Sequence, residues 1–387
     1  MTVTAPAGFR AAGVAAGLKS SGDPDVALVV SDGPDDAAAA VFTTNRFPAA
    51  PVQWSRQVLA TGRARAVVLN SGGANACTGP DGFGDTHATA EHVAAALGLG
   101  AIDVAVASTG LIGVRLPMDR LLPGVTAAAA VLSDDGGPAA ARAIMTTDSV
   151  PKTTLQHGGR GDGTWSIGGM AKGAGMLAPS LATMLVVLTT DAVVPTEVLR
   201  PALESATKLS FERVDSDGCL STNDTVLVLA NGASGVTPSA EEFAAALTGA
   251  CTDLARQLLA DAEGSTKDIA ITVRNAASVD DALTAGRACA RNNLLKTALF
   301  GNDPNWGRVL AAIGTTDAAF EADRVDVTIN GVTVCRGGSI GDPREGVDLT
   351  GRAITIDVDL AAGSESATIW TNDLSIAYVH ENSAYST

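Results

Sequence analysis

The stretch Gly168 to Met184, GGMAKGAGMLAPSLATM, holds the residue of this 387-residue chain best suited to do chemistry. If the bond between Ala182 and Thr183 is cut, Thr183 gains a free α-amino group beside its own hydroxyl. The amine can then take the hydroxyl proton while the oxygen attacks a carbonyl, the chemistry of N-terminal threonine nucleophiles. An unperturbed α-amino group has a pKa of about 7.7–8.0, so an appreciable fraction is neutral near pH 7 and able to act as the base. Local spacing alone favours a plainer reading, a glycine-rich turn feeding a buried strand with Thr183 at the strand start.

Other chemistries find less support. The four histidines, His87, His92, His157 and His380, stand neither at metal-binding spacing nor beside an obvious nucleophile. His87 and His92 are i and i+5 on an expected helix, which puts them on different faces and in solvent. Gly337-Gly338-Ser339-Ile340-Gly341 matches a nucleophile elbow literally, but the turn-forming Asp342 to Gly346 follows where a helix is required. Gly173-Ala174-Gly175 imitates a dinucleotide loop, yet Pro179 falls where its helix should run. A phosphate-binding loop is excluded because Lys172 precedes its glycine.

These residues sit in a chain whose formal charge of −16 disfavours nucleic-acid phosphates and anionic membranes as partners. Cys77, Cys219, Cys251, Cys289 and Cys335 are odd in number and scattered, which predicts small core residues rather than a disulfide framework or a zinc site. The N-terminus lacks a basic region followed by an apolar run, and no apolar stretch reaches the roughly 18 residues of a membrane span, so a cytoplasmic location is expected.

The elements that must hold the chemistry alternate in an α/β pattern. Val26–Val30, Ala66–Leu69 and Asp103–Ser108 read as strands, and Asp85–Leu97 and Pro117–Leu132 as helices. After Thr183 the pattern restarts with strand Met184–Thr189, a helix near Pro201–Phe211 and strand Thr225–Leu229. A long helix follows, opened by Ser239 and Glu242 in capping-box spacing. Strand Ile269–Val273 and a helix over Asp280–Phe300 precede a β-rich end, with strands at Arg324–Asn330, Ala353–Leu360 and Ala367–Trp370.

Several blocks, in order, resemble the ornithine acetyltransferase (glutamate N-acetyltransferase) family of arginine biosynthesis. They are Gly8–Gly13, Asn70–Ala76, Ser108–Gly113, Met145–Asp148, Lys172–Leu185, Asn223–Thr225, Asp261–Gly264, Gly301–Arg308 and Glu381–Tyr385. Together they span nearly the whole chain. Leu111 and Ser180-Leu181 are small departures, at places where family members vary among similar residues.

The resemblance implies an α/β sandwich of the ornithine acetyltransferase and DmpA type, with sheets packed between helical layers. It implies a precursor that cuts itself into an α chain, 1–182, and a β chain, 183–387, paired as an α2β2 heterotetramer. Thr183 would be the nucleophile and Thr109 and Gly110 the oxyanion site. Thr146, Lys172, Thr183, Glu263, Asn382 and Thr387 would bind substrate. The implied reaction moves acetyl from N-acetylornithine to glutamate through acetyl-Thr183, with no metal or bound cofactor and with acetyl-CoA as an alternative co-substrate. From charge, Lys172 would meet the substrate carboxylate and Glu263 its ammonium. Two rivals remain open on such a fold: an aminopeptidase or amidase with water as acyl acceptor, and a binding protein that never processes itself.

Overall fold

A computed structural model of the protein describes residues 2–161, 163–177 and 184–384. Ala182, Thr183 and Thr387 lie outside the described residues.

The chain opens with the antiparallel strands β1 (Phe9–Val14) and β2 (Val26–Ser31), then β3 (Ala37–Phe42) and helix α1 (Ala50–Leu59). Strands β4 (Ala66–Asn70) and β5 (Val104–Ser108) flank α2 (Gly79–Leu97), and α3 (Met118–Ala130) and α4 (Gly137–Ala143) follow. The hairpin β6 (Lys152–Arg160) and β7 (Gly163–Lys172) comes next, then β8 (Leu185–Thr190), α5 (Thr196–Leu209), β9 (Thr225–Ala230) and α6 (Ala240–Ala260). The remainder is β10 (Asp268–Ala276), α7 (Val279–Ala290), α8 (Asn293–Phe300), α9 (Trp306–Ile313), β11 (Asp326–Ile329), β12 (Val332–Arg336), β13 (Ser339–Ile340), β14 (Ala353–Asp359), β15 (Glu365–Asn372) and α10 (Ile376–Ala384).

The strands form three sheets ordered β1-β2-β4-β5, β3-β9-β8-β7-β6 and β13-β12-β11-β14-β10-β15. Period-two alternation explains how the first two pack. Leu185 and Val187 of β8 and Leu227 and Leu229 of β9 join the core of the first sheet, whereas Val186, Leu188, Val226 and Val228 face a second core with α5 and α6. β8 and β9 at the centre of the middle sheet are therefore buried on both faces, which is why these two strands read as continuous apolar runs. With α2 and α3 packed on the first sheet, the result is the α/β sandwich expected. Ile269, Ile271 and Val273 of β10 build a third core with α7, α8 and α9.

Local chemistry accounts for the departures from expectation. The helix expected over Asp280–Phe300 is two helices, because the Asn292 side chain accepts from Leu295 N–H at 2.9 Å and starts α8 afresh. Ser239 caps α6 by accepting from Glu242 N–H at 3.1 Å, but the Glu242 carboxylate takes Gly159 N–H at 3.0 Å instead of closing the box. Of the cysteines expected in the core, Cys251, Cys289 and Cys335 are buried, while Cys77 and Cys219 are exposed, both in loops rather than on packed faces. Gly337–Gly341 spans the β12–β13 turn, so its serine lies at the edge of a hairpin. Among the described residues no helix is long and apolar enough to cross a membrane.

Candidate active site

Two sheets converge on one cavity. β4 and β5 run parallel with Asn70 beside Ser108, so the loops after both strands leave the first sheet together, as ligand-binding crevices in α/β sheets do. From the second sheet come the end of β7 and the starts of β8 and β9, with Lys172 paired to Leu185 and Leu185 to Thr225. Asn223 ties the two: its side-chain amide donates to Ala74 O at 2.6 Å and to Ser108 O at 2.8 Å.

At the end of β5 the backbone is specified tightly. Thr109 N–H donates to Asn70 O at 2.9 Å, and Gly73 N–H donates to Thr109 O at 3.0 Å. Gly110 has φ +131°, and a Cβ there would come within 2.7 Å of Gly73 N, so only glycine fits. Among the described residues nothing accepts from the Gly110 N–H. The Lys172 ammonium lies 3.3 Å from Thr109 Oγ1 and can only donate. The Thr109 hydroxyl proton is thereby left to donate in turn.

Beneath Lys172 sits a buried charge cluster. Asp148 accepts from Lys152 Nζ and Gly173 N–H, both at 2.6 Å, and from Thr146 N–H at 2.9 Å, with Lys172 Nζ at 4.0 Å. Burial pushes the Asp148 carboxyl up, but Lys172, Lys152 and the Gly173 N–H outweigh it and hold its pKa at about 2. Burial also draws the Lys172 ammonium below its usual range, with Asp148 opposing. Lys152 bonds Asp261 as well, which joins this cluster to the loop carrying Glu263.

Glu263 is buried, accepts from Thr147 Oγ1 at 2.7 Å and donates its own N–H to Ala174 O at 2.9 Å. A Cβ on Gly175 would meet its carboxylate at 2.7 Å, so that glycine lets the acid approach. Thr109, Gly110, Thr146, Lys172, Glu263 and Asn382 all line one cavity of about 370 Å³. Asn382 is exposed at its edge on α10 and donates to Tyr378 O at 3.0 Å.

The ArgJ family model matches residues 10–387. The arginine biosynthesis bifunctional protein ArgJ of Streptomyces coelicolor is 64% identical over 386 residues, covering 100% of both chains. The chain belongs to the ArgJ family. The ArgJ protein of Thermobifida fusca is 64% identical over 387 residues, covering 100% of both chains, and that of Mycobacterium leprae 59% over 392 residues, covering 99% of this chain and 95% of its own. A solved ornithine acetyltransferase complexed with ornithine, from Mycobacterium tuberculosis, is 65% identical over a match covering 47% of this chain and 96% of that one, at TM-score 0.45.

In this ArgJ-family chain, sequence reasoning assigned no role to Asp148, Thr147, Asn223 or Asp224, although each stands in a block that carries the resemblance. Asp224 is buried beside the start of β8 and accepts from Met184 N–H at 3.1 Å. Its other oxygen has no partner among the described residues. Burial pushes this carboxyl well above the carboxylate range, against the Met184 N–H. The available signal was a run of polar residues, Ser221-Thr222-Asn223-Asp224, leading straight into an apolar strand.

Proposed function

We infer that this protein is a glutamate N-acetyltransferase of arginine biosynthesis, moving acetyl from N-acetylornithine to glutamate. Its full-length relatives are arginine biosynthesis bifunctional proteins. The observation that carries the reading is the meeting of Thr109, Gly110, Thr146, Lys172, Glu263 and Asn382, from five separate stretches of sequence, around one cavity.

In the mechanism the chain cuts itself before Thr183 into residues 1–182 and 183–387. The new α-amino group takes the Thr183 hydroxyl proton while Oγ attacks the acetyl carbonyl. The tetrahedral oxyanion is met by the Gly110 N–H and by the Thr109 hydroxyl, which the Lys172 ammonium polarises. Collapse releases ornithine and leaves acetyl-Thr183. Glutamate's amine then attacks that ester through the same oxyanion site. Lys172 pairs with the substrate carboxylate and Glu263 with the ornithine ammonium. Asn382 and Thr146 border the same space, with Thr387 at the chain end as a further contact. Acetyl-CoA is a second acetyl donor, the two chains assemble as α2β2, and the enzyme works in the cytoplasm.

The test combines mass measurement of the denatured protein with product analysis. The expected result is chains 1–182 and 183–387, an acetyl group on the second after N-acetylornithine, and N-acetylglutamate formed far faster than free acetate. Thr183→Ala stays intact and inactive. Acetate release exceeding transfer would make the protein a hydrolase, and normal cutting in Thr183→Ala would remove Thr183 as nucleophile.

A further inference from the structure

The two half-reactions make unequal electrical demands on one cavity. N-acetylornithine brings one carboxylate and one ammonium, which Lys172 and Glu263 match. Glutamate brings two carboxylates, and its side-chain carboxylate would be repelled by Glu263 and by a chain of net charge −16. The one charged residue lining the cavity besides Lys172 and Glu263, among the described residues, is Lys19.

Lys19 is held there by construction. The fully buried Asp25 carboxylate accepts from Ala16 N–H and Leu18 N–H at 2.6 Å and from Lys19 N–H at 3.0 Å, winding the β1–β2 connection around itself. Leu18 then presses on Gly72, where an added Cβ would come within 2.2 Å of it, and Gly72 and Gly73 press on Gly110 in turn. Leu18 Cβ meets the Gly72 backbone directly, and the Gly73–Gly110 contact is backbone to backbone, so Lys19 is registered against the Thr109–Gly110 turn. The half-buried Lys19 ammonium donates to Pro24 O at 2.8 Å and has no ion-paired carboxylate among the described residues. An ammonium carries three donors, so capacity for a ligand oxygen remains.

We propose that Lys19 is the subsite for the side-chain carboxylate of the acetyl acceptor, and so selects glutamate in the second half-reaction. The proposal rests on the transfer reading above. It is tested by loading the enzyme with N-acetylornithine and comparing glutamate with glutamine as acceptor, in the unaltered protein, Lys19→Met and Lys19→Arg. The ratio of the two rates is independent of how much enzyme is folded. Lys19→Met should lower the glutamate-over-glutamine ratio roughly tenfold or more, as expected for a lost charge-assisted hydrogen bond, and Lys19→Arg should restore most of it. The KM for N-acetylornithine should move much less than that for glutamate. An unchanged ratio, or parallel rises in both KM values, overturns the assignment while acetyl-enzyme formation stands. Failure of the unaltered protein to form acetyl-enzyme overturns the transfer reading and this assignment with it.

Discussion

At the scale of single residues, the site works by leaving specific donors unspent. Thr109 donates its backbone N–H to Asn70 and its carbonyl accepts from Gly73 N–H, while its hydroxyl receives from Lys172 and keeps its own proton. Thr109→Val removes that donor at nearly constant volume. It should lower kcat about 10²–10³-fold with KM changed only a few-fold, read from steady-state transfer kinetics. A KM effect without a kcat effect would place Thr109 in substrate binding instead. Thr109 was legible from its Ser-Thr-Gly-Leu-Ile-Gly block. Thr147 was not, because its role is a hydrogen bond to Glu263, 116 positions away in the chain.

Elements set the distances between those residues. β5 must end abruptly for the turn after it to lie against Gly73, and Gly110 is the residue that permits this. Gly110→Ala adds a Cβ at 2.7 Å from Gly73 N in a backbone region closed to L side chains. It should cost about 1–3 kcal/mol in denaturant unfolding and lower transfer by displacing Thr109. Gly113→Ala is the internal control: φ is +82° but nothing lies within 4 Å, so it should cost less and spare the rate. Element-level reading succeeded where one rule dominated, as in the apolar runs of β8 and β9. It missed β3, Ala-Ala-Ala-Ala-Val-Phe, whose composition suits a helix and whose strand state comes from pairing with β9. Two separate helices, α7 and α8, replaced one because a single asparagine cap outweighed a continuous apolar pattern.

The whole molecule's response to pH follows from carboxyls that folding moves in opposite directions. Burial raises Asp215 to about 6, against its partner Arg291. Folded protein then holds a proton that the unfolded chain has released, so stability falls as pH rises from about 4 to 6, by about 3 kcal/mol for this group. Burial also raises Asp217 and Asp224, which adds to the same slope. Asp148, held near 2, has the other sign: its contribution is present above about pH 4 and is lost as pH falls through 2. Urea midpoints should therefore decline between pH 4 and 6, and Asp215→Asn should flatten that decline while leaving the loss below pH 4 in place. A midpoint that rises steadily from pH 4 to 6 would contradict the assigned protonation of these buried acids.

Apolar alternation, helix caps and the Lys172–Leu185 block are local patterns, so the sequence by itself determined the α/β class, most element positions and the residues worth watching. Whether Lys172, Thr109 and Glu263 share a space depends on strands far apart in the chain meeting in two packed sheets. Only the tertiary structure decided that, and with it the buried Asp148 cluster, the two-sheet tie at Asn223 and the arrival of Lys19 at the cavity. The physical reason is that burial and electrostatics belong to neighbours in space, which spacing along the chain does not encode.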